Sequence, residues 1–250
     1  MEPLLSIITV TYNASDVIDA TLESIKDQGF RDFEYIVVDG ASSDDTVDKV
    51  KWSGIKDMQF VSEPDSGIYH AMNKGLAMAR GRFVLFLNAG DSFHDSTVLE
   101  KFRKATVDFP EAGVIYGQTI IVDKERNYIS ERHLTAPNIL TFDSFKTGMV
   151  VCHQAFFARR TLTQKFDVKY KFSSDYDWCV KILKKSKENV YLGNEPIIDY
   201  LYEGITSKNH SSSLKERFGI MSKHYGVIGT SLRHIRFAMR YLNNKKANNK

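Results

Sequence analysis

One rhythm repeats through the first half of the chain: a short apolar β-branched run, a polar loop, then apolar residues at helical spacing. Leu5–Thr11 reads as a strand, Tyr12 to Ser15 as its loop, and Val17, Ile18, Leu22 and Ile25 as the inner face of a helix. Residues 33–38 form a second strand, followed by Asp39-Gly40-Ala41-Ser42-Ser43 and a helix through Val47 and Val50 that Ser42 or Ser43 is placed to cap. Residues 58–62 form a third strand, 63–67 its loop and 68–79 a helix. The fourth strand, 83–87, is apolar at every position but Arg82 just before it, as in strands buried on both faces.

Such alternation predicts an α/β fold, a Rossmann-like domain with a mostly parallel central sheet flanked by helices. Ligands in these folds sit beyond the carboxyl ends of the strands. The loops there carry Thr11-Tyr12-Asn13, Asp39, Asp65 and Asn88-Ala89-Gly90-Asp91. Further on the pattern predicts a helix over 96–108, strands over 113–122 and 154–158, a helix over 176–185, a strand over 196–202 and a helix over 227–242, with an Asn/Lys-rich end that frays.

Composition adds three constraints. With 42% hydrophobic and 26% charged residues the chain is a folded globular protein. Cys152 and Cys179 form neither a CxxC pair nor a disulfide framework, and the first residues lack an export signal, so a cytoplasmic location is expected. The formal charge is +3, yet the last acid is Glu216, and the eight Lys/Arg residues after it leave the rest of the chain at −5. In that tail Ile228, Leu232, Ile235, Met239 and Leu242 form an apolar stripe flanked by Arg233, Arg236 and Arg240. A basic amphipathic helix of this kind rests on an anionic membrane surface or packs on the catalytic domain or another subunit. No nucleic-acid-binding motif is present.

Several residues carry chemistry under one of two readings. Asp91 ends a buried strand, as a Mg2+ or Mn2+ ligand or as a cap for the next turn. Asp39 follows its strand directly, to hydrogen-bond a nucleotide or to start an Asx turn. Neither GxGxxG after the first strand nor GxxxxGK[ST] occurs, which argues against NAD, FAD and P-loop NTPases.

Ser6-Ile-Ile-Thr-Val-Thr-Tyr-Asn13, Ile36-Val-Val-Asp-Gly-Ala-Ser-Ser-Asp-Asp-Thr46, Ser62-Glu-Pro-Asp-Ser-Gly-Ile-Tyr-His-Ala-Met-Asn-Lys-Gly75, Ala79-Arg-Gly-Arg-Phe-Val-Leu-Phe-Leu-Asn-Ala-Gly-Asp91 and Ser174-Asp-Tyr-Asp-Trp178 together resemble the GT-A fold glycosyltransferases of family 2, in particular those of bacterial surface polysaccharides. The resemblance implies that Thr11, Tyr12 and Asn13 line a nucleoside pocket, that Asp39 reads the base, and that Asp65, Asn73 and Lys74 complete the donor site. It makes Asp91 the metal ligand, although the commoner Asp-Ser-Asp-Asp is here Asn88-Ala89-Gly90-Asp91, with one carboxylate. It makes Asp175 the general base, with Asp177 as competitor; the alternative is that both acids stabilise a helix N-terminus. His153 either bonds substrate on the acceptor side or is a satisfied buried histidine. Residues 202–210 either close over the donor or simply connect.

The resulting expectation is an inverting, Mn2+- or Mg2+-dependent transferase that moves a sugar from a nucleoside diphosphate, UDP before GDP, to a glycan or lipid-linked hydroxyl. Its catalytic domain would span 1–212, with a nucleotide half (1–95) and an acceptor half (96–212), and 213–250 would be the basic tail. The rivals are a non-catalytic nucleotide-sugar-binding subunit and a sugar nucleotidyltransferase, whose glycine-rich signature loop is missing.

Overall fold

The computed structural model describes residues 2–202 and 210–235. The expected β/α rhythm holds in the first half: β1 (Leu5–Thr11), α1 (Ile18–Lys26), β2 (Phe33–Asp39), α2 (Thr46–Trp52), β3 (Gln59–Ser62), α3 (Ile68–Met78) and β4 (Phe83–Phe86). β3, β2, β1 and β4 lie side by side and parallel, with Thr11 level with Asp39 and Ile8 with Phe86. This alignment brings the loops after β1, β2 and β4 to one edge.

Side-chain alternation along the strands supplies both faces of the sheet. Ile8, Val10, Ile36, Val38, Val84 and Phe86 face one apolar cluster, shared with Met72, Trp178 and Ile220. Leu5, Ile7, Tyr35, Val37, Phe83 and Leu85 face the other, with Ile18, Leu22, Ile25 and Phe102. That two-sided burial is why these strands read as nearly continuous apolar runs.

Beyond β4 the sheet becomes mixed. It continues through β8 (Phe156–Arg159), β6 (Val114–Val122), β9 (Asn189–Leu201) and β5 (Ser92–Phe93), with β7 (Tyr128–Glu131) on β6; α4 (Val98–Asp108) and α5 (Ser174–Leu183) cover it. Four details differ from the periodicity. The strand expected at 154 starts at Phe156, because His153–Ala155 is a 3-10 turn. β9 starts at Asn189, well before Pro196. β5 and β7 were not expected: one is two residues long and the other carries mostly exposed side chains, so neither leaves an apolar alternation. Ser42 and Ser43 do not cap α2; the Thr46 N–H is held instead by Asp44 Oδ1 at 3.1 Å.

α6 (His210–Tyr225) was also unforeseen. The expected boundary at 212/213 falls inside it, and its Ile220 and Met221 join the main core. Glu216 accepts the N–H groups of Lys171 and Phe172 at 2.8 Å each, which fixes the segment leading into α5. A terminal helix follows over 227–235, with Val227, Ile228, Leu232 and Ile235 exposed. The Met239 and Leu242 portion of the expected stripe lies outside the described residues, as does nearly all of the 202–210 loop. No described helix is long and apolar enough to cross a membrane.

Gly81 sets how closely β4 can approach β1. A Cβ there would lie 2.5 Å from the Ser6 nitrogen and 2.6 Å from the Leu5 carbonyl carbon, and backbone cannot step aside. Gly81→Ala is therefore expected to destabilise the fold by about 3 kcal/mol, read as a lower midpoint in chemical denaturation.

Candidate active site

The loops after β1 and β2 are stitched together by side chains. Asn13 N–H donates to Ser42 Oγ (2.8 Å), Ala14 N–H to Thr46 Oγ1 (2.8 Å) and Ser15 N–H to Asp44 Oδ2 (3.0 Å), while Ser43 N–H donates to Asn13 Oδ1 (2.9 Å). Asn13 takes a left-handed conformation, φ 46°, which its side-chain bonding tolerates. Burial pushes Asp44 up, but the bonds from Thr46 and Ser15 outweigh it and hold the carboxyl down at about 2.

Asp39 is 0% exposed and is the knot of this stitching: Oδ1 accepts Ser42 Oγ at 2.5 Å, and Oδ2 accepts Ser42 N–H at 2.9 Å and Ser62 Oγ at 2.6 Å. It ties the loops after β1, β2 and β3 into one floor. Above it stands Tyr12, 66% exposed, whose ring would lie 3.3 Å from a Cβ on Gly40. Asp65 Oδ2 would be 3.7 Å from the same point, so Tyr12, Gly40 and Asp65 enclose one corner. Lys74 Nζ reaches Asp65 Oδ1 at 2.6 Å and Glu63 Oε1 at 2.9 Å; these two acids raise the lysine above its ordinary range. Asn73 points elsewhere: it bonds both ways to the Phe166 backbone, at 2.7 and 3.0 Å. It thereby secures Phe166, which stacks between Tyr69 and Trp178.

A second group forms beyond β4, where the loop after it meets the 3-10 turn at His153–Ala155 and α5. Asp91, 4% exposed, accepts Leu201 N–H (3.0 Å) and Gln154 Nε2 (2.8 Å), and burial pushes it up to about 6. Next to Gln154, His153 Nδ1 lies 3.2 Å from Asp175 Oδ2, and His153 Nε2 lies 3.2 Å from Asn88 Nδ2. Tyr69 donates its hydroxyl to Asp175 Oδ1 at 3.0 Å. Burial pushes Asp175 up, yet His153 and Tyr69 outweigh it and keep the carboxyl below its ordinary value. Asp91 and Asp175, 84 residues apart in sequence, are thus joined through consecutive residues of the 3-10 turn.

Asp177 is not part of this group. It is 1% exposed and ion-paired to Lys181 at 2.5 Å and His224 at 2.7 Å, locking α5 to α6. Asp175, two positions earlier, faces His153 instead, because side chains two positions apart on a helix point in roughly opposite directions. Tyr69 and Gln154 escaped the sequence reading: on an amphipathic helix Tyr69 looks like any core aromatic, and nothing local marks a partner 106 residues away.

Three buried oxygens at this edge lack a protein partner: Thr11 Oγ1, Asp65 Oδ2 and Asn88 Oδ1. Native interiors pair nearly all such atoms, so the edge is built to receive polar ligand atoms. Among the described residues no three His, Cys, Asp or Glu side chains cluster to hold a metal by themselves. Asp91 nevertheless suits a hard cation. Its partners are neutral N–H donors, each oxygen keeps a second lone pair, and Arg126 and His153 act on it only through space.

The architecture matches known glycosyltransferases. Staphylococcus aureus TarS (residues 1–349) superposes with a TM-score of 0.72 over 93% of this chain and 72% of that one, at 18% identity. A Pyrobaculum calidifontis mannosyltransferase, solved with GDP-Man and Mn2+, superposes at 0.60 over 99% and 80%, at 17% identity. The fold is thus of the GT-A type. Residues 6–166 match glycosyl transferase family 2, and the chain belongs to that family. Among its relatives are a putative teichuronic acid biosynthesis glycosyltransferase, TuaG, of Bacillus subtilis (30% identical, 80% of this chain and 79% of that protein) and a PGL/p-HBAD biosynthesis glycosyltransferase of Mycobacterium tuberculosis (30% identical, 72% and 69%).

Because its folded carboxyl is lowered, Asp177 stabilises the fold fully above the unfolded carboxylate value of about 4 and loses that contribution as pH falls through the folded one. Burial alone would raise Asp177; His224 and Lys181 reverse it. Asp177→Asn should cost about 3 kcal/mol at neutral pH by leaving the Lys181 ammonium without its partner and removing the carboxylate that His224 faces. Thermal melts should show the gap between variant and wild type closing as pH falls below the unfolded carboxylate value.

Proposed function

We propose that the chain transfers a sugar, with inversion, from a UDP-sugar to a hydroxyl of a glycan or lipid-linked acceptor in surface polysaccharide synthesis. The observation that carries this is the joining of Asp91 and Asp175 through Gln154 and His153, at the strand-end edge that also carries three unpartnered oxygens. The TarS crystal structures in complex with UDP and UDP-GlcNAc support UDP over GDP, and the teichuronic acid relative supports the polysaccharide setting.

In this reading Tyr12 covers the nucleoside, Thr11 Oγ1 supplies an unpaired hydroxyl to it, and Asn13 and Asp39 hold the pocket floor. Asp65 and Lys74 face the donor, while Asn73 supports them through Phe166. Asp91 would hold Mn2+ or Mg2+, which supplies charge neutralisation for the departing diphosphate. Asp175, ionised and held by Tyr69 and His153, takes the acceptor proton as the hydroxyl attacks the anomeric carbon, and the sugar–phosphate bond breaks on the opposite face. One displacement inverts the centre.

The terminal helix supports contact with an anionic membrane surface on the cytosolic side: Ile228 is 79% exposed, and Val227, Leu232 and Ile235 are exposed with it. Polar groups point the other way, with Thr230 buried and Arg233 Nη1 buried without a partner. Vesicles containing phosphatidylglycerol should float the full chain, and deletion of 227–250 should abolish flotation.

Asp175→Asn should lower UDP release from UDP-sugars by about 100-fold or more while leaving donor binding intact. Asp91→Ala should remove the Mn2+-dependent thermal stabilisation by UDP-GlcNAc. A donor panel that yields tight binding without turnover under any acceptor would favour the non-catalytic nucleotide-sugar-binding subunit.

A further inference from the structure

His153 lies between two groups that the transfer reaction uses differently. Its Nδ1 faces Asp175 Oδ2 and its Nε2 faces the amide of Asn88, both at 3.2 Å, with the side chain only 11% exposed. Both ring edges are therefore occupied, and neither is turned to substrate. Two arrangements satisfy the contacts. In one, the Asn88 amide nitrogen donates to a bare Nε2, the ring is neutral, and the Nδ1–H donates to Asp175. In the other, the amide is reversed, Asn88 Oδ1 accepts from Nε2–H, and the ring is an imidazolium.

In the structure it is the Asn88 nitrogen that faces Nε2, and its oxygen is left at the donor edge without a protein partner. In the neutral arrangement that oxygen stays free at the donor edge; in the charged one it is consumed by the ring. We propose that His153 is a positioning residue for Asp175, held by Asn88 as the neutral Nδ1–H tautomer. This rests on the reading of Asp175 as the base.

The assignment accounts for the departure of position 88 from the commoner aspartate. A carboxylate there would grip Nε2–H and place the imidazole between two anions, fixing it as imidazolium. A cation would then sit permanently against Asp175, and a carboxylate so paired is a poorer proton acceptor. The neutral amide lets His153 orient Asp175 with a neutral hydrogen bond. Asp91 and Asp175 act on the ring from the turn after β4 and from α5; Tyr69 on α3, Tyr200 on β9, Cys152 and Arg132 complete the titratable and charged surroundings.

Two-bond 1H–15N spectra of histidine-labelled full-length protein test this without any substrate, with the His153 signals identified by their loss in His153→Asn. The expected wild-type pattern near neutral pH is protonated Nδ1 and bare Nε2. Asn88→Asp should keep the ring doubly protonated to a pH higher by about one unit or more, and Asp175→Asn should shift ring ionisation the other way by a similar amount. A dominant Nε2–H tautomer in the wild type, or an Asn88→Asp titration that coincides with wild type, overturns the proposal. Should Asn88→Asp fail to fold, the wild-type tautomer alone decides. Full sugar transfer by Asp175→Asn would instead sink the reading of Asp175 as base, whatever the tautomer.

Discussion

Two buried carboxylates, Asp91 and Asp175, are held by adjacent residues of one turn, and the hydrogen bonds around them are arranged to keep both there. Isolated charges are costly to bury, and two of like sign raise each other's proton affinity. The chain resolves this by giving them unequal surroundings. Asp91 receives only neutral N–H donors and rises to about 6, whereas Asp175 receives an imidazole and a phenol and falls below its ordinary value. Divergent environments of this kind separate the proton affinities of two nearby acids.

The scaffold delivers these groups through strand register. β1, β2 and β4 are parallel and in step, so Thr11, Asp39 and Asn88 emerge at one level, and the Asp39 network then fixes the loops relative to one another. Across the sheet, α5 presents Asp175 to His153 and Asp177 to α6. Side chains two positions apart on a helix diverge, so one turn can reach two different neighbourhoods at once.

Much of this was legible in the sequence. Continuous apolar strands punctuated by polar loops reveal a two-sided parallel sheet, and Asp39, Asp65 and Asp91 stand out at the ends of those strands or in the loops after them. What escaped was whatever depends on contacts distant along the chain. Nothing local to Asn73 reveals that its amide is spent on Phe166, or that Asp39 is fully engaged by Ser42 and Ser62. Periodicity also missed α6, whose apolar positions are too sparse to mark a face, although Ile220 and Met221 seat it firmly. The mixed half of the sheet was harder to read for a similar reason, since short edge strands such as β5 are defined by their partners.

The 3-10 turn at His153–Ala155 has an implication for how the chain can vary. Because adjacent residues there attend to different carboxylates, a single inserted or deleted residue would misdirect both at once. Surface connections elsewhere accommodate changes in length with modest entropic effect. Natural or engineered variants should therefore differ in loop size almost anywhere before they differ here, and this turn provides a fixed ruler for the distance between the two halves of the enzyme.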